Sequence, residues 1–212
     1  MRPRTLDHVA VWVAARDSIA ELLTSWTELR VIERTDAFTL LGADARRGKV
    51  TLFDAEGPRE QGALRRIGLR VSSLPDGPTE LDAGEGLHFV LVEAETDVDY
   101  DLDHVTLAAR DPEAAAAEWE QLGFGRSADG RLEVGGAYLE LEQGDPGDPE
   151  RPLLNHLGVL VESVEEHIAE AEDLGVEVDK IVDAPNTLAL FVWGPERVKL
   201  EYIEHKPTFS LT

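Results

Sequence analysis

The stretches LDHVAVWV (6–13) and LDHVTLAA (102–109) open with the same three residues, 96 positions apart. Two further segments share their shape, LRRIGLRV (64–71) and LNHLGVLV (154–161). Each has a polar residue in third place, His8, Arg66, His104 or His156, followed by alternating apolar residues. Alternation of period two marks a strand with one buried face. Its recurrence along the chain marks a protein built from repeated units.

A second strand recurs downstream of each: KVTLFDAE (49–56), GLHFVLVEAE (86–95), GGAYLELEQG (135–144) and ERVKLEYIEH (196–205). Aligning their apolar residues puts Thr51, His88, Glu140 and Glu201 in equivalent places. Helical spacing fills the interval in three of the four units. In unit one, Ile19, Leu22, Leu23, Trp26 and Leu29 form an apolar stripe. In unit three, Asp111-Pro112 supplies an N-cap and a first-turn proline, and Gly123 ends the helix. In unit four, Ser163 to Glu166 reads as a capping box, with Gly175 as the stop. Unit two has only SSLPDGPTELDAGEG, too short and too rich in Gly and Pro for a helix. Short strands follow the helices, as in RLEVGG (131–136) and TLALFVW (187–193).

The expected fold class is therefore α+β: four βαβββ modules, the second shortened, paired into curved mixed sheets with helices outside. The segment EAETDVDYD (93–101) suggests two halves, an N-terminal module pair over 1–97 and a C-terminal pair over 98–212.

With 212 residues and 42% hydrophobic content, the chain is long and apolar enough for a sizeable core. The formal net charge of −23 argues against nucleic acid and anionic lipid as partners. No apolar run approaches a membrane span. The start, MRPRTLDHV, lacks the apolar centre of a signal peptide, so a cytoplasmic location is expected. There is no cysteine, which excludes thiolate ligands and a cysteine nucleophile. A transition-metal site would have to use histidine and carboxylate.

Strand alternation decides which side chains share a face. If units three and four pair their sheets, His104, Glu140, His156 and Glu201 converge on one partly polar face. Two imidazoles and two carboxylates suit one divalent ion, Zn, Ni, Co, Mn or Fe(II), with positions open for substrate. The first-half equivalents are His8, Thr51, Arg66 and His88. They lack a carboxylate, and Arg66 puts a cation where metal would sit. His8 is accordingly expected to be structural, and His88 a cavity residue without metal. His167 is expected to be solvated on an exposed helix. His205 lies about 13 Å along the strand from Glu201, too far to share its coordination shell. Tyr138, Phe191 and Lys199 are candidate substrate contacts.

These four strands and their filled positions resemble the vicinal oxygen chelate superfamily, which includes glyoxalase I, methylmalonyl-CoA epimerase, extradiol dioxygenases and bleomycin-resistance proteins. The resemblance covers most of the chain. It implies paired βαβββ modules with metal ligands on the first and last strand of each. A His, Glu, His, Glu set is similar to glyoxalase I and the epimerase. It implies a lyase, isomerase or epimerase acting through a metal-bound enediolate on a small-molecule substrate, with Glu201 or Glu140 as the catalytic proton shuttle. Extradiol dioxygenases use two histidines and one glutamate, a set that His104, His156 and Glu201 would also meet. Their active-site tyrosine, about ten residues before the glutamate, is replaced here by Phe191. A non-catalytic binding protein is the third reading. Modules of this superfamily pair within a chain or between the subunits of a homodimer, and the sequence leaves both open.

Overall fold

A computed structural model describes residues 1–211. Unit one comprises β1 (Thr5–Val13), α1 (Arg16–Trp26), β2 (Arg30–Arg34), β3 (Phe38–Gly42) and β4 (Lys49–Asp54). Unit two has strands alone: β5 (Leu64–Val71), β6 (Glu80–Asp82) and β7 (His88–Glu93). Unit three runs through β8 (Asp101–Ala109), α2 (Pro112–Gln121), β9 (Gly125–Arg126), β10 (Leu132–Val134) and β11 (Ala137–Gln143). Unit four runs through β12 (Leu154–Leu160), α3 (Val164–Leu174), β13 (Val178–Asp183), β14 (Thr187–Trp193) and β15 (Lys199–His205). Four strand-rich units, the second without a helix, are what the repeat predicts.

The helix ends follow their sequence signals. Asp111 accepts the Ala114 N–H at 3.1 Å, and Ser163 Oγ accepts that of Glu166 at 3.3 Å. Gly175 closes α3 in the left-handed region, at φ 68°. The apolar stripe of α1 buries Ile19, Ala20 and Leu23, whereas Leu22 stays 39% exposed. His167, expected in solvent, is buried in α3. Its Nε2 accepts the Arg2 N–H at 3.1 Å, and its ring packs on Tyr202.

The strands form two sheets. The eight-stranded one has the order β13-β14-β15-β12-β1-β4-β3-β2, and the seven-stranded one β6-β7-β5-β8-β11-β10-β9. Unit one thus pairs with unit four through antiparallel β1 and β12, and unit two with unit three through β5 and β8. This corrects the expected pairing of units three and four. The two halves, 1–97 and 98–212, each contribute one unit to both sheets.

Close packing explains the local rule and why it left the choice open. The His8 ring lies over Gly158 of β12, where a Cβ would fall 2.2 Å from His8 Cε1. The His104 ring lies over Gly68 of β5, where a Cβ would fall 2.3 Å from His104 Nδ1. Each sheet therefore joins a histidine strand to a strand with glycine two residues after its third position. Units two and four both supply that glycine, so sequence adjacency was no guide. The ring of units closes where unit four returns to unit one: the Arg4 N–H reaches Leu160 O at 2.7 Å and that of Trp12 reaches Leu153 O at 2.8 Å.

One apolar cluster runs through both sheets, with Val9, Val11, Leu52, Ile67, Val105, Leu139, Leu157 and Leu200 among its fully buried members. Polar pins join the sheets around it. Tyr202 Oη donates to Leu122 O at 2.7 Å. Glu85 accepts the N–H groups of Ala14 and Ala15 at 2.8 and 2.7 Å, at the start of α1. Glu196 accepts that of Arg110 at 2.6 Å, after β8. Both glutamates hold left-handed backbone, at φ 51° and 52°, a strain borne at matching corners of the two sheets.

Candidate metal centre

Each first strand carries one extra residue immediately before its third position. The pairing registers slip at Asp7 in β1, Arg65 in β5, Asp103 in β8 and Asn155 in β12. A bulge of this kind breaks the alternation and re-aims neighbouring side chains. The residue before each histidine can then bond its neighbour's ring. Asp7 Oδ2 lies 2.7 Å from His8 Nδ1, Asp103 Oδ1 lies 2.8 Å from His104 Nδ1, and Asn155 Oδ1 lies 3.0 Å from His156 Nδ1.

In the eight-stranded sheet, three donors meet. His8 Nε2 and His156 Nε2 are 2.8 Å apart, and each lies 3.0 Å from Glu201 Oε2. All three residues are buried. Among the described residues, this is the group of His, Asp and Glu donors close enough to hold one ion. The fourth equivalent position is Thr51 on β4, which pairs with Ala10 of β1.

His156 and Glu201 are thus brought together as the sequence suggested, but His8 joins them in place of His104. His104 and Glu140 sit on the other sheet and do not converge with the triad. There Glu140 accepts from Thr106 Oγ1 at 3.0 Å and lies 3.5 Å from Arg66 Nη2. Arg66 stands where His156 stands in the first sheet. The register also corrects unit two: β7 places Val90 opposite Gly68, as β15 places Glu201 opposite Gly158. His88 lies two residues short of that position and is exposed.

The suggested substrate contacts divide the same way. Phe191 stands edge-on to His156, with ring centroids 5.2 Å apart. Tyr138 is on the other sheet, stacked on His104 at 5.0 Å. Lys199 is paired with Asp179 at 2.8 Å and lies over Trp193, away from the triad's cavity. His205, set aside on distance, lines that cavity without joining the triad.

The charges of the site fit a cation. With Nδ1 of both rings donating to Asp7 and Asn155, each Nε2 presents a lone pair. Two lone pairs 2.8 Å apart repel unless a proton or a metal ion lies between them. Without metal a proton takes that place. Burial alone would lower the His8 imidazole, but its bonds to Asp7 and Glu201 hold it up at about 9. Burial pushes His156 down in spite of Glu201. Burial would raise Glu201, yet His156 and His8 keep it well below the usual carboxylate range. Asp7, likewise fully buried, is held down by Lys49 and His8.

The donor spacing fits as well. Metal–nitrogen and metal–oxygen bonds of about 2.1 Å at right angles put neighbouring donors about 3.0 Å apart. The observed edges of 2.8, 3.0 and 3.0 Å match one triangular face of an octahedron.

Residues 101–202 match the family model of the Glyoxalase/Bleomycin resistance protein/Dioxygenase superfamily. Residues 101–202 are thus similar to that superfamily, and the two sheets of repeated units have its fold. The match spans units three and four, which are consecutive in sequence but lie in different sheets. No curated protein matches the chain in sequence. Several solved structures share its fold. A putative dioxygenase from Bacillus subtilis subsp. subtilis str. 168 aligns with a TM-score of 0.72 at 15% identity, over 98% of this chain and 87% of that one. A V278E mutant of glyoxalase I from Zea mays aligns with a TM-score of 0.72 at 15% identity, over 94% and 92%. The cppA protein from Streptococcus pneumoniae TIGR4 aligns with a TM-score of 0.62 at 13% identity, over 96% and 98%. No helix of the described residues is long and apolar enough to cross a membrane.

Proposed function

We propose that His8, His156 and Glu201 hold one divalent metal ion, and that the protein is a metalloenzyme acting on a small molecule with adjacent oxygens. The observation that carries this reading is the buried triangle of donors with 2.8–3.0 Å edges. Such an ion would act as a Lewis acid toward two neighbouring oxygens of the substrate.

Two histidines and one carboxylate, with the remaining positions open, is the donor set that favours Fe(II) and oxygen chemistry. Thr51 at the fourth position supports one of the superfamily's chemistries over the other. Proton transfer of the glyoxalase or epimerase kind calls for a second carboxylate at the site. Glu140 was expected to supply it, and Glu140 is on the other sheet. The small hydroxyl of Thr51 leaves that side of the triad free for substrate. On the donor set a ring-cleaving dioxygenase is therefore favoured over a lyase or isomerase, with Phe191 against His156 in place of the tyrosine that such enzymes carry.

The chain's own residues would do three things. Asp7 and Asn155 fix the tautomers and the orientation of the two rings. Glu201, kept ionised by its neighbours, supplies the single negative charge of the donor set. Phe53 and Phe191 flank His156, with centroids 6.2 and 5.2 Å away, and shield it from water.

Oxygen uptake by the Fe(II)-loaded protein with a set of catechols tests this reading. Uptake that disappears in His156→Ala is expected. Metal-dependent isomerisation of an α-hydroxycarbonyl compound without oxygen uptake would favour the proton-transfer reading. Ligand binding unaffected by chelation would favour a non-catalytic binder.

A further inference from the structure

The triad lines a cavity of about 500 Å³, and the walls of that cavity restrict what can enter. They are largely aromatic: Phe38, Phe53, Phe191 and Phe209 line it, with Leu40 and Ile203. Phe53 is braced from behind by Trp12, at 5.1 Å, and packs on Phe38 at 5.6 Å. Phe209 stacks on His205 at 4.1 Å and 17°.

The charged lining is one-sided. Three carboxylates face the cavity: Asp7, Glu33 and Glu201. Among the described residues Lys49 is the one lysine or arginine that lines it, and it is already committed, while Lys180 and Arg46 lie over the rings of Phe191 and Phe209, at 4.9 and 5.5 Å, without lining it. Its Nζ lies 2.9 and 3.0 Å from the two Asp7 oxygens and 2.8 Å from Ala45 O, filling its three donors. Lys49 is also buried to 4% exposure, so it cannot swing toward a ligand without leaving Asp7 uncompensated. His205 adds no positive charge, because burial favours its neutral form. Glu33, half-buried on the edge strand β2, has no cationic partner among the described residues.

We propose that this cavity takes an uncharged aromatic ligand, and that the Lys49–Asp7 pair and Glu33 exclude anionic ones. The proposal rests on the metal-centre reading only for where the ligand's adjacent oxygens would lie. With the ligand's adjacent oxygens at the triad, a carboxylate on the far side of its ring would lose its water and meet aromatic faces and Glu33, and the one cationic side chain lining that wall, Lys49, is already paired. A neutral ring keeps the favourable burial of its faces and does not bear that cost.

Two probes separate the terms, since both carry the same adjacent hydroxyls: 4-methylcatechol, neutral, and 3,4-dihydroxybenzoate, anionic. Calorimetric titration of the full chain, loaded with Zn(II) to prevent turnover, should show the neutral probe binding about 10- to 100-fold more tightly. Glu33→Gln, which leaves the triad intact, should narrow that ratio several-fold by improving binding of the acid alone. Equal or tighter binding of the acid to the wild type would overturn the proposal. An unchanged ratio in Glu33→Gln would remove Glu33 from it. Failure of the neutral probe to bind would overturn the aromatic assignment. The zinc stoichiometry of the same sample reports on the triad separately: a metal-free protein that still prefers the neutral probe would support this inference while contradicting the metal centre.

Discussion

His8 and His104 have the same neighbours in sequence, and the strand paired with each decides its chemistry. His8 meets His156 and Glu201, whereas the strand paired with His104 has Arg66 at the position of His156, and Val90 stands where a glutamate would be needed. Asp7→Asn should weaken metal binding about 10- to 100-fold, because the carboxylate that orients the His8 ring and raises its basicity is lost. Competition with a chromophoric chelator measures this, and unchanged affinity would remove Asp7 from the design. The site also sets a pH dependence in the metal-free protein. The folded-state pKa of His8, at about 9, lies above its unfolded value of 6.5. That stabilisation is complete below the unfolded value and is lost as pH rises through the folded one. Asp7 and Glu201 are held below their usual values, so their contribution is constant across this window. The melting temperature in chelator should therefore fall between neutral pH and about pH 10. The fall should be absent in His8→Gln.

At the scale of elements, much was legible because local chemistry dictates it. Caps at Asp111 and Ser163, the stop at Gly175 and the missing helix of unit two all act within a few residues of chain. The bulges were legible only in part. Asp-His and Asn-His stand before the relevant positions, but a period-two reading assumes an unbroken strand. The same assumption placed His88 where the register puts Val90. Two element-level outcomes follow from the register. Gly158→Ala should destabilise the protein by about 1–3 kcal/mol through overpacking against the His8 ring, and should displace that ring from the triad. Urea unfolding and metal titration measure the two effects. The double variant Arg66→His with Val90→Glu should give the seven-stranded sheet its own triad with His104. Binding should rise from one to two ions per chain, and a stoichiometry that stays at one would show that the two sheets are not equivalent in this way.

At the scale of the whole molecule, the pairing of units was not legible. Units two and four both offer the glycine that a histidine ring needs, so each local preference is met by either arrangement. Contacts far apart in sequence make the choice, among them the β1–β12 ladder, the Tyr202 bond to Leu122 and the Glu85 and Glu196 pins. The outcome moved half of the expected site. His156 and Glu201 stayed together because one unit supplies both, while their partner came from the other end of the chain. Residues 98–212 alone should consequently fail to form the centre, since His8 is missing, and mixing with residues 1–97 should restore it if the fragments reassociate.

Metal content of single-site variants reads out which residues make up the triad. Purified protein reconstituted with Fe(II) and freed of excess metal should hold one ion per chain. That ion should be lost in His8→Ala and in His156→Ala, and retained in His104→Ala and in Glu140→Ala. Loss of metal in the His104 or Glu140 variant, with retention in His8→Ala, would contradict the account.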